Sequence, residues 1–432
     1  MKILSFKDQK NFSKEVNRLI NRFSFFDADL EEKVAGILRR VRQEGDLALL
    51  AYSQEFDGVS LKGEELLVSR DERERARQQV RSEDLAAIEL SIGRVRDFHS
   101  RQKKESWFFS GEDGIMLGQL ITPLESIGLY VPGGKASYPS SVVMGAVPAQ
   151  MAGVKDIVLV SPPAKDKVLP PHTLAAADLL GIDKIYRVGG AQAIAALAFG
   201  TESVPRVQKI VGPGNIFVTM AKKQVFGLVD IDMVAGPSEV LILADGSANP
   251  EYIAADLLSQ AEHDERAVTM MVTPEAGLVK QVEQKISLQV KELTRHEIAS
   301  RSLQDYGYLI QTKDMEEAVC LVNELAAEHL ILAVENPFSL LPHLRNAGSI
   351  FLGHFTPEPL GDYLAGPNHI LPTSGTARFF SSLGVDDFCK RSGFTFFSRR
   401  GLEKLGPCAI ALAEIEGLTA HAAAVRRRLS GK

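Results

Sequence analysis

The sequence predicts an α/β protein of two lobes, each a parallel, doubly wound sheet, with smaller helical pieces at both ends. Three observations point there. From Ile121 onward, short apolar runs end in Gly or Pro and lead into helix-spaced patterns. These alternations come in two successive sets, and strand–helix–strand alternation at this spacing implies right-handed crossovers between parallel strands. No apolar run reaches the roughly 18 residues of a membrane span. The best stretch, Ser141 to Val154, is interrupted by Gly145, Pro148 and Gln150.

Before the first set the pattern is helical. Leu30 to Tyr52 carries apolar residues at helix spacing, and Asp71 to Lys104 is a charged stretch with apolar positions at Val80, Leu85, Ile88 and Ile92. The charge there reads as a solvated helix face. The first alternating set runs IGLYVPGG, a helix over Val142–Met151, DIVLVSPP, a helix over Leu174–Leu180, KIYRVGG with AQAIAALAFG, and KIVGPGN with IFVTMAKKQVF. In the second set EVLILAD leads to a helix over Pro250–His263, AVTMMVTP to Ala276–Leu293 and GYLIQT to Asp314–Ala327, followed by LILAV and SIFLG. From about Gly384 the chain forms a separate small, mostly helical piece.

Composition bounds what such a protein does. The 432 residues include 49 Lys+Arg and 55 Asp+Glu, so 49 − 55 leaves a formal charge of −6. This balance excludes a chain built to hold nucleic acid, which needs a clustered basic excess. At 45% hydrophobic and 24% charged, the chain has the make-up of an ordinary globular protein rather than a disordered or collagen-like one. Cys320, Cys389 and Cys408 are too few and too scattered for a disulfide framework or a thiolate zinc site. The first residues, MKILSFKDQKNF, hold no signal-peptide core. A cytoplasmic protein with no membrane partner is expected, and any metal it holds must take nitrogen and oxygen ligands.

Glycine-ended strands feeding helices bind phosphates, because free backbone N–H groups and the helix dipole converge there. Three such turns occur: Pro132-Gly133-Gly134, Gly189-Gly190-Ala191-Gln192 and Gly212-Pro213-Gly214-Asn215. None is a full G-x-G-x-x-G, and no acidic residue occupies the usual ribose position. Each alone reads as a structural turn; three on consecutive strands point to a nucleotide bound in an unorthodox way. Among the nine histidines, four have suggestive neighbours. Gln260 and His263 stand three apart on one helix face, Glu328-His329 ends a helix before an apolar strand, Gly361-Asp362 opens a Gly/Pro-rich loop running to Asn368-His369, and Glu416 and His421 lie in the tail. Each has a plainer reading: a surface or capping histidine at 263, a dipole-offsetting histidine at 329, a turn residue at 362, a surface histidine at 421. The residues alone lead to an α/β enzyme with a nucleotide lobe and a candidate nitrogen/oxygen metal site.

Taken together, these segments resemble the histidinol dehydrogenase family. The likeness rests on GLYVPGGKASYPSSVVMGAVPAQMAG, RVGGAQAIAALAFGT, VGPGN, DMVAGPSEVLILAD, LLSQAEHD, EHL, GDYLAGPNHILPTSGTARF, VDDFCKR and EIEGLTAHA, in the family's order along most of the chain. The resemblance implies oxidation of L-histidinol to L-histidine by way of the aldehyde, with two NAD and one Zn2+ per site, as the last steps of histidine biosynthesis. It implies zinc ligands at Gln260, His263, Asp362 and His421, and a catalytic pair at Glu328 and His329. It implies substrate contacts from Ser238, His329, Asp362, His369, Glu416 and the zinc ligands, and dinucleotide contacts from Tyr130, Gln192 and Asn215.

By the same resemblance both lobes are incomplete Rossmann-like folds, the tail crosses to a partner in a homodimer, and His421 and Glu416 enter the partner's site. The chain departs from the family in having Ala327 where Pro is common. The expected division is a helical arm at 1–25, a first lobe from 26–129 and 239–383 carrying zinc and catalytic residues, a nucleotide lobe at 130–238, and a tail at 384–432. Two rival functions are a related zinc and NAD dehydrogenase acting on another small polar alcohol, and a nucleotide-binding protein that has lost catalysis.

Overall fold

The computed structural model describes residues 1–22, 28–133 and 137–431. Gly134 of the first glycine turn and the expected boundary at 25/26 lie outside these. Two parallel sheets dominate. The five-stranded sheet runs, across its width, Lys184–Arg187, Asp156–Ser161, Ser126–Tyr130, Lys209–Val211 and Asp230–Ile231. In chain order within the lobe this is 3-2-1-4-5, the dinucleotide-binding order without its sixth strand. The six-stranded sheet repeats it: Gly307–Gln311, Val268–Thr273, Glu239–Ala244, His329–Ala333 and Ser349–Leu352, with Lys2–Ser5 added beyond Gly307–Gln311. Both are thus incomplete Rossmann-like sheets. The lobe's first strand begins at Ser126, slightly before the expected boundary at 130.

Strands such as EVLILA and VTMMVT are buried at every position because helices cover both faces, which is why they read as continuous apolar runs rather than alternating ones. Leu241, Leu243, Met270 and Val272 face one core, and Val240, Ile242 and Met271 face the other. Helices occupy the expected places: Pro139–Ala152 and Pro171–Leu179 begin three residues earlier than expected, and Pro250–Ala261, Ala276–Gln289 and Met315–Leu325 are trimmed at their ends. No helix among the described residues is long and apolar enough to cross a membrane.

The N-terminal third differs from expectation in where it packs. The helix Ala28–Glu44 buries Leu30, Val34, Ile37, Leu38 and Val41 in one core with Ala193, Leu197, Met220 and Val225 of the five-stranded lobe. The helix Ser82–Ser100 shares a core with Val143 and Val147. The helices of 28–100 therefore join the sheet of 126–231, not the lobe of 239–383. Amphipathic spacing announces that a face is buried but not which sheet buries it. Nor is the start purely helical: among the described residues Lys2–Ser5 is a strand and Gln9–Ile20 the helix. Gly45 (φ +56) and the break at Val80–Arg81 split the two expected long helices into Ala28–Glu44 with Asp46–Tyr52, and Arg70–Gln79 with Ser82–Ser100.

A third, antiparallel sheet of Trp107–Ser110, Ile115–Pro123 and Cys389–Phe397 carries the tail. Tail helices Arg399–Ile415 and Thr419–Ser430 pack on one another, and the first also packs on this sheet. Trp107, Phe108, Phe109, Phe396, Leu412 and Ile415 are all exposed on this extension.

The packing of the N-terminal helices is testable. Leu49 is fully buried against the five-stranded lobe, whereas Leu47, two residues earlier, is exposed. Leu49→Ala should cost roughly 2–5 kcal/mol in urea unfolding, and Leu47→Ala no more than about 0.5 kcal/mol; equal costs would contradict the packing.

Candidate active site

A cavity of about 1080 Å3 lies between the two lobes. The five-stranded sheet presents the carboxyl ends of its strands, the usual ligand-binding edge. The six-stranded sheet presents the opposite edge: Ser238 directly precedes Glu239–Ala244, and His329 is the first residue of His329–Ala333. Ten of the twelve expected site residues line this one cavity. Tyr130, Gln192 and Asn215 come from the glycine turns; Ser238, Gln260, His263, Glu328, His329, Asp362 and His369 come from the other side. Glu416 and His421 do not line it; both are exposed in the tail.

The glycine turns are held tightly. Gly212 has φ +111, and a Cβ there would lie 2.1 Å from the Tyr130 carbonyl oxygen, so only glycine fits. Its N–H donates to Asp232 at 2.8 Å, and its carbonyl accepts from the Lys222 ammonium at 3.0 Å. Lys222 and Asp232 form a buried ion pair. Asn215 caps the helix Ile216–Val225, its Oδ1 accepting from the N–H groups of Phe217 and Val218, which leaves its amide NH2 for a ligand. Buried Tyr130 accepts from the Gly190 N–H at 3.2 Å, and burial pushes its hydroxyl up to about 12. Gln192 is buried, and its Oε1 has no partner among the described residues.

Glu328 and His329 follow the helix Met315–Leu325, which stops at Ala326 in the left-handed region (φ +46). The pair therefore sits at a strand entry rather than on a helix end. Main chain from two neighbours fixes it. On one side the Glu239 N–H donates to Glu328 Oε2 at 2.8 Å, and His329 Nδ1 donates to the Glu239 carbonyl at 3.1 Å. On the other, Ser349 N–H donates to the Glu328 carbonyl at 2.8 Å, and a Cβ on Gly348 would approach that oxygen to 2.6 Å. Glu239 is itself held by a buried bidentate pair with Arg22, at 2.5 and 2.7 Å. Because a carbonyl only accepts, Nδ1 carries the proton in neutral His329 and Nε2 is the free base. Nε2 has no hydrogen-bond partner among the described residues; Asp362 Oδ1 lies 3.5 Å away.

Burial pushes Glu328 up to about 8. It works to lower His329, but the carboxylates of Glu358, Glu328 and Asp362 outweigh it and hold the imidazole well above its ordinary range. Burial also acts to raise Asp362, and nearby His329, His369 and His263 overcome this and keep it low. His263 opens onto the cavity just past the helix Pro250–Ala261, with enough protein around it to lower its pKa. His369 is lowered by burial too, and its Nδ1 donates to the Asp362 carbonyl at 3.0 Å.

A family model described as histidinol dehydrogenase matches residues 21–429. The chain belongs to the histidinol dehydrogenase family. It is accordingly an oxidoreductase. The histidinol dehydrogenase of Syntrophotalea carbinolica is 54% identical over 429 residues, covering 99% of each chain. That of Geobacter metallireducens is 52% identical over 433 residues, covering 100% of this chain and 99% of its own. The crystal structure of histidinol dehydrogenase from Elizabethkingia anophelis matches at a TM-score of 0.92 and 39% identity, across 97% of this chain and 96% of that one. An acetylating aldehyde dehydrogenase from Geobacillus thermoglucosidasius shares the fold alone, at a TM-score of 0.50 and 14% identity.

Set beside this family assignment, the cavity holds a group that sequence reasoning missed. Glu358 is 2% exposed, its Oε1 lies 3.7 Å from His329 Nδ1, and its Oε2 has no partner among the described residues. Burial pushes it up to about 7. His329, Glu358 and Asp362 each offer a ligand atom within 4.8 Å of the others. The signal was available: Glu358 and Asp362 stand four apart, and the segment 358–365 is helical rather than the expected loop. The expected zinc donors also fit a metal. Gln260 is 1% exposed and its Oε1 has no partner among the described residues, so a buried amide oxygen is open to a cation. His263 and Asp362 shift one another's pKa across the same wall. This nitrogen and oxygen set suits zinc.

The raised pKa of Glu328 links to stability. Its folded value of about 8 exceeds the ordinary 4.5, so the native state keeps a proton that the unfolded chain releases. Its carboxyl is compatible with stability at low pH and costs it progressively from about pH 4.5 to 8. Glu328→Gln keeps the acceptor for the Glu239 N–H and removes this slope. The variant's melting temperature, relative to the parent, should rise by several degrees between pH 5 and pH 8; a pH-independent difference would contradict the assignment.

Proposed function

We propose that this chain oxidises L-histidinol to L-histidine in two NAD-dependent steps through L-histidinal, with one zinc ion per subunit, in the cytoplasm, as the last reactions of histidine biosynthesis. The observation that carries this is His329: its Nδ1 is tied to main chain, and it lines one cavity together with the residues of the glycine turns and with Gln260, His263 and Asp362. When bound, NAD accepts hydride and zinc orients the substrate's amine and imidazole.

This chain's residues supply the proton chemistry. In the first step His329 Nε2 takes the hydroxyl proton as hydride leaves the alcohol carbon, giving the aldehyde. Glu328 then removes a proton from the water that adds to the aldehyde. In the second step His329 takes a hydroxyl proton from the hydrate as a second hydride leaves, giving the carboxylate. Each oxidation removes two electrons, so each histidinol consumes two NAD. The cations that occupy the site bring positive charge next to His329 and favour its basic form. Ser238 and His369 hold the substrate, and Tyr130, Gln192 and Asn215 hold the dinucleotide. Full-length relatedness at 54% identity favours histidinol over another small polar alcohol. The intact Glu328–His329 pair argues against an inactive nucleotide-binding protein.

The same reading makes the protein a homodimer whose tail supplies His421 as fourth zinc ligand and Glu416 as substrate contact to the partner's site. Supporting this, neither residue lines its own cavity, and the tail rests on an extension with a broad exposed apolar surface.

Two measurements test the proposal. With L-histidinol the enzyme should form two NADH per substrate and lose activity on metal stripping. Turnover of only a non-imidazole alcohol would replace the substrate, and no turnover would reject catalysis. Mixing His421→Ala and Glu328→Gln subunits should recover part of the activity in hybrid dimers, because one of the two sites then carries no lesion; an inactive mixture would sink the shared site.

A further inference from the structure

In an ordinary dinucleotide lobe an acidic residue ends the second strand and accepts the hydroxyls of the adenosine ribose. Here the second strand, Asp156–Ser161, runs into Pro162-Pro163-Ala164 and offers no carboxylate. An acid reaches the cavity from elsewhere. Ser53–Asp57 forms a π-helical turn that ends at Gly58 in the left-handed region (φ +68). Such turns occur disproportionately at functional sites. Phe56 and Asp57 both line the cavity, beside Tyr130 and Gln192.

The path of the chain explains how they arrive there. Leu66–Val68 runs antiparallel along the edge strand Lys184–Arg187, with Val68 N–H donating to Ile185 at 2.8 Å and Arg187 N–H to Leu66 at 2.8 Å. Residues 57–65 therefore extend beyond the carboxyl end of that third strand. Lys167, just past the end of the second strand, pairs with Glu65 at 3.2 Å and ties the two loops together. The carboxylate thus comes from the side of the sheet where the adenosine half of a dinucleotide lies in the usual arrangement.

Both side chains are poised for a ligand. Asp57 Oδ2 is buried and has no hydrogen-bond partner among the described residues. Burial pushes its carboxyl up to about 6, which leaves it ionised at neutral pH. A buried carboxylate without donors destabilises the fold unless something supplies them. Phe56 is half exposed, its ring stacked on Tyr52 at 5.2 Å with planes 7° apart, so a flat, braced aromatic face remains open.

We propose that Asp57 accepts the hydroxyls of the adenosine ribose while Phe56 offers its face to adenine, so that this crevice selects NAD over NADP. This rests on the reading of the crevice as the NAD site. A 2′-phosphate would set negative charge against Asp57 and remove the hydroxyl it accepts. Lys165, exposed on the cavity rim, is the cation available to attract such a phosphate once the carboxylate is gone.

Calorimetric titration of the full-length protein with NAD, NADP, ADP, 2′-deoxy-ADP and adenosine 2′,5′-bisphosphate tests this without turnover. The parent should prefer NAD to NADP, and ADP to 2′-deoxy-ADP, by roughly ten-fold or more. Asp57→Asn should shrink the NAD-to-NADP ratio by roughly ten- to a hundred-fold, weakening NAD and strengthening the bisphosphate. Phe56→Ala should weaken all five adenine ligands alike, by roughly five-fold or more. An unchanged ratio in a folded Asp57→Asn protein overturns the proposal. Should that variant fail to fold, equal affinity of the parent for ADP and 2′-deoxy-ADP overturns it instead. If the parent binds neither NAD nor ADP, the cofactor reading fails with it, a result distinct from binding without discrimination.

Discussion

One residue's main chain sets the geometry on which the rest of the site depends. The N–H of Glu239 donates to Glu328, and its carbonyl accepts from His329. A single peptide segment thus orients the carboxylate and selects the imidazole tautomer. Main-chain groups at the start of a central parallel strand hardly move, since Val240 is paired with His329 on one side and Val268 leads the neighbouring strand on the other. The Glu239 side chain is clamped by Arg22, which also donates to the carbonyls of Leu19 and Leu325. A buried bidentate pair is an expensive way to gain stability. Here it couples the N-terminal arm, the first strand and the end of the helix before Glu328 into one unit.

Around that unit the two lobes use opposite edges of nearly identical sheets. The five-stranded lobe follows the carboxyl-edge rule, its glycine turns bringing Tyr130, Gln192 and Asn215 to the crevice. The other lobe turns its amino edge inward and builds from residues at strand entries. Negative charge gathers there: Glu328, Glu358 and Asp362 surround one histidine, and burial raises the first two. Such a cluster is costly when it stands alone and suits cations, which is the chemistry of a zinc ion and an amino alcohol.

Part of this was legible in the chain. The glycine turns stood out because a turn requiring positive φ or close backbone approach, as at Gly212, restricts the residue type to glycine. The strands stood out because burial on both faces demands unbroken apolar runs. Glu358 and Asp57 did not stand out. A carboxylate matters there because of what covers it, and neither Pro-Glu-Pro nor Phe-Asp-Gly says what covers it. The proposed zinc set is legible only through family likeness, as Gln260, His263 and Asp362 are spread over about a hundred residues.

By itself the sequence determined the kinds and order of the elements, their turns and the polar residue types the site would use, because these follow from local sterics and from how much apolar surface each segment must hide. Only the tertiary structure decided which sheet the helices of 28–100 cover, which edge of each sheet faces the crevice, and how the buried carboxylates are shifted. Those outcomes depend on contacts between segments hundreds of residues apart, and periodicity along the chain carries no term for them.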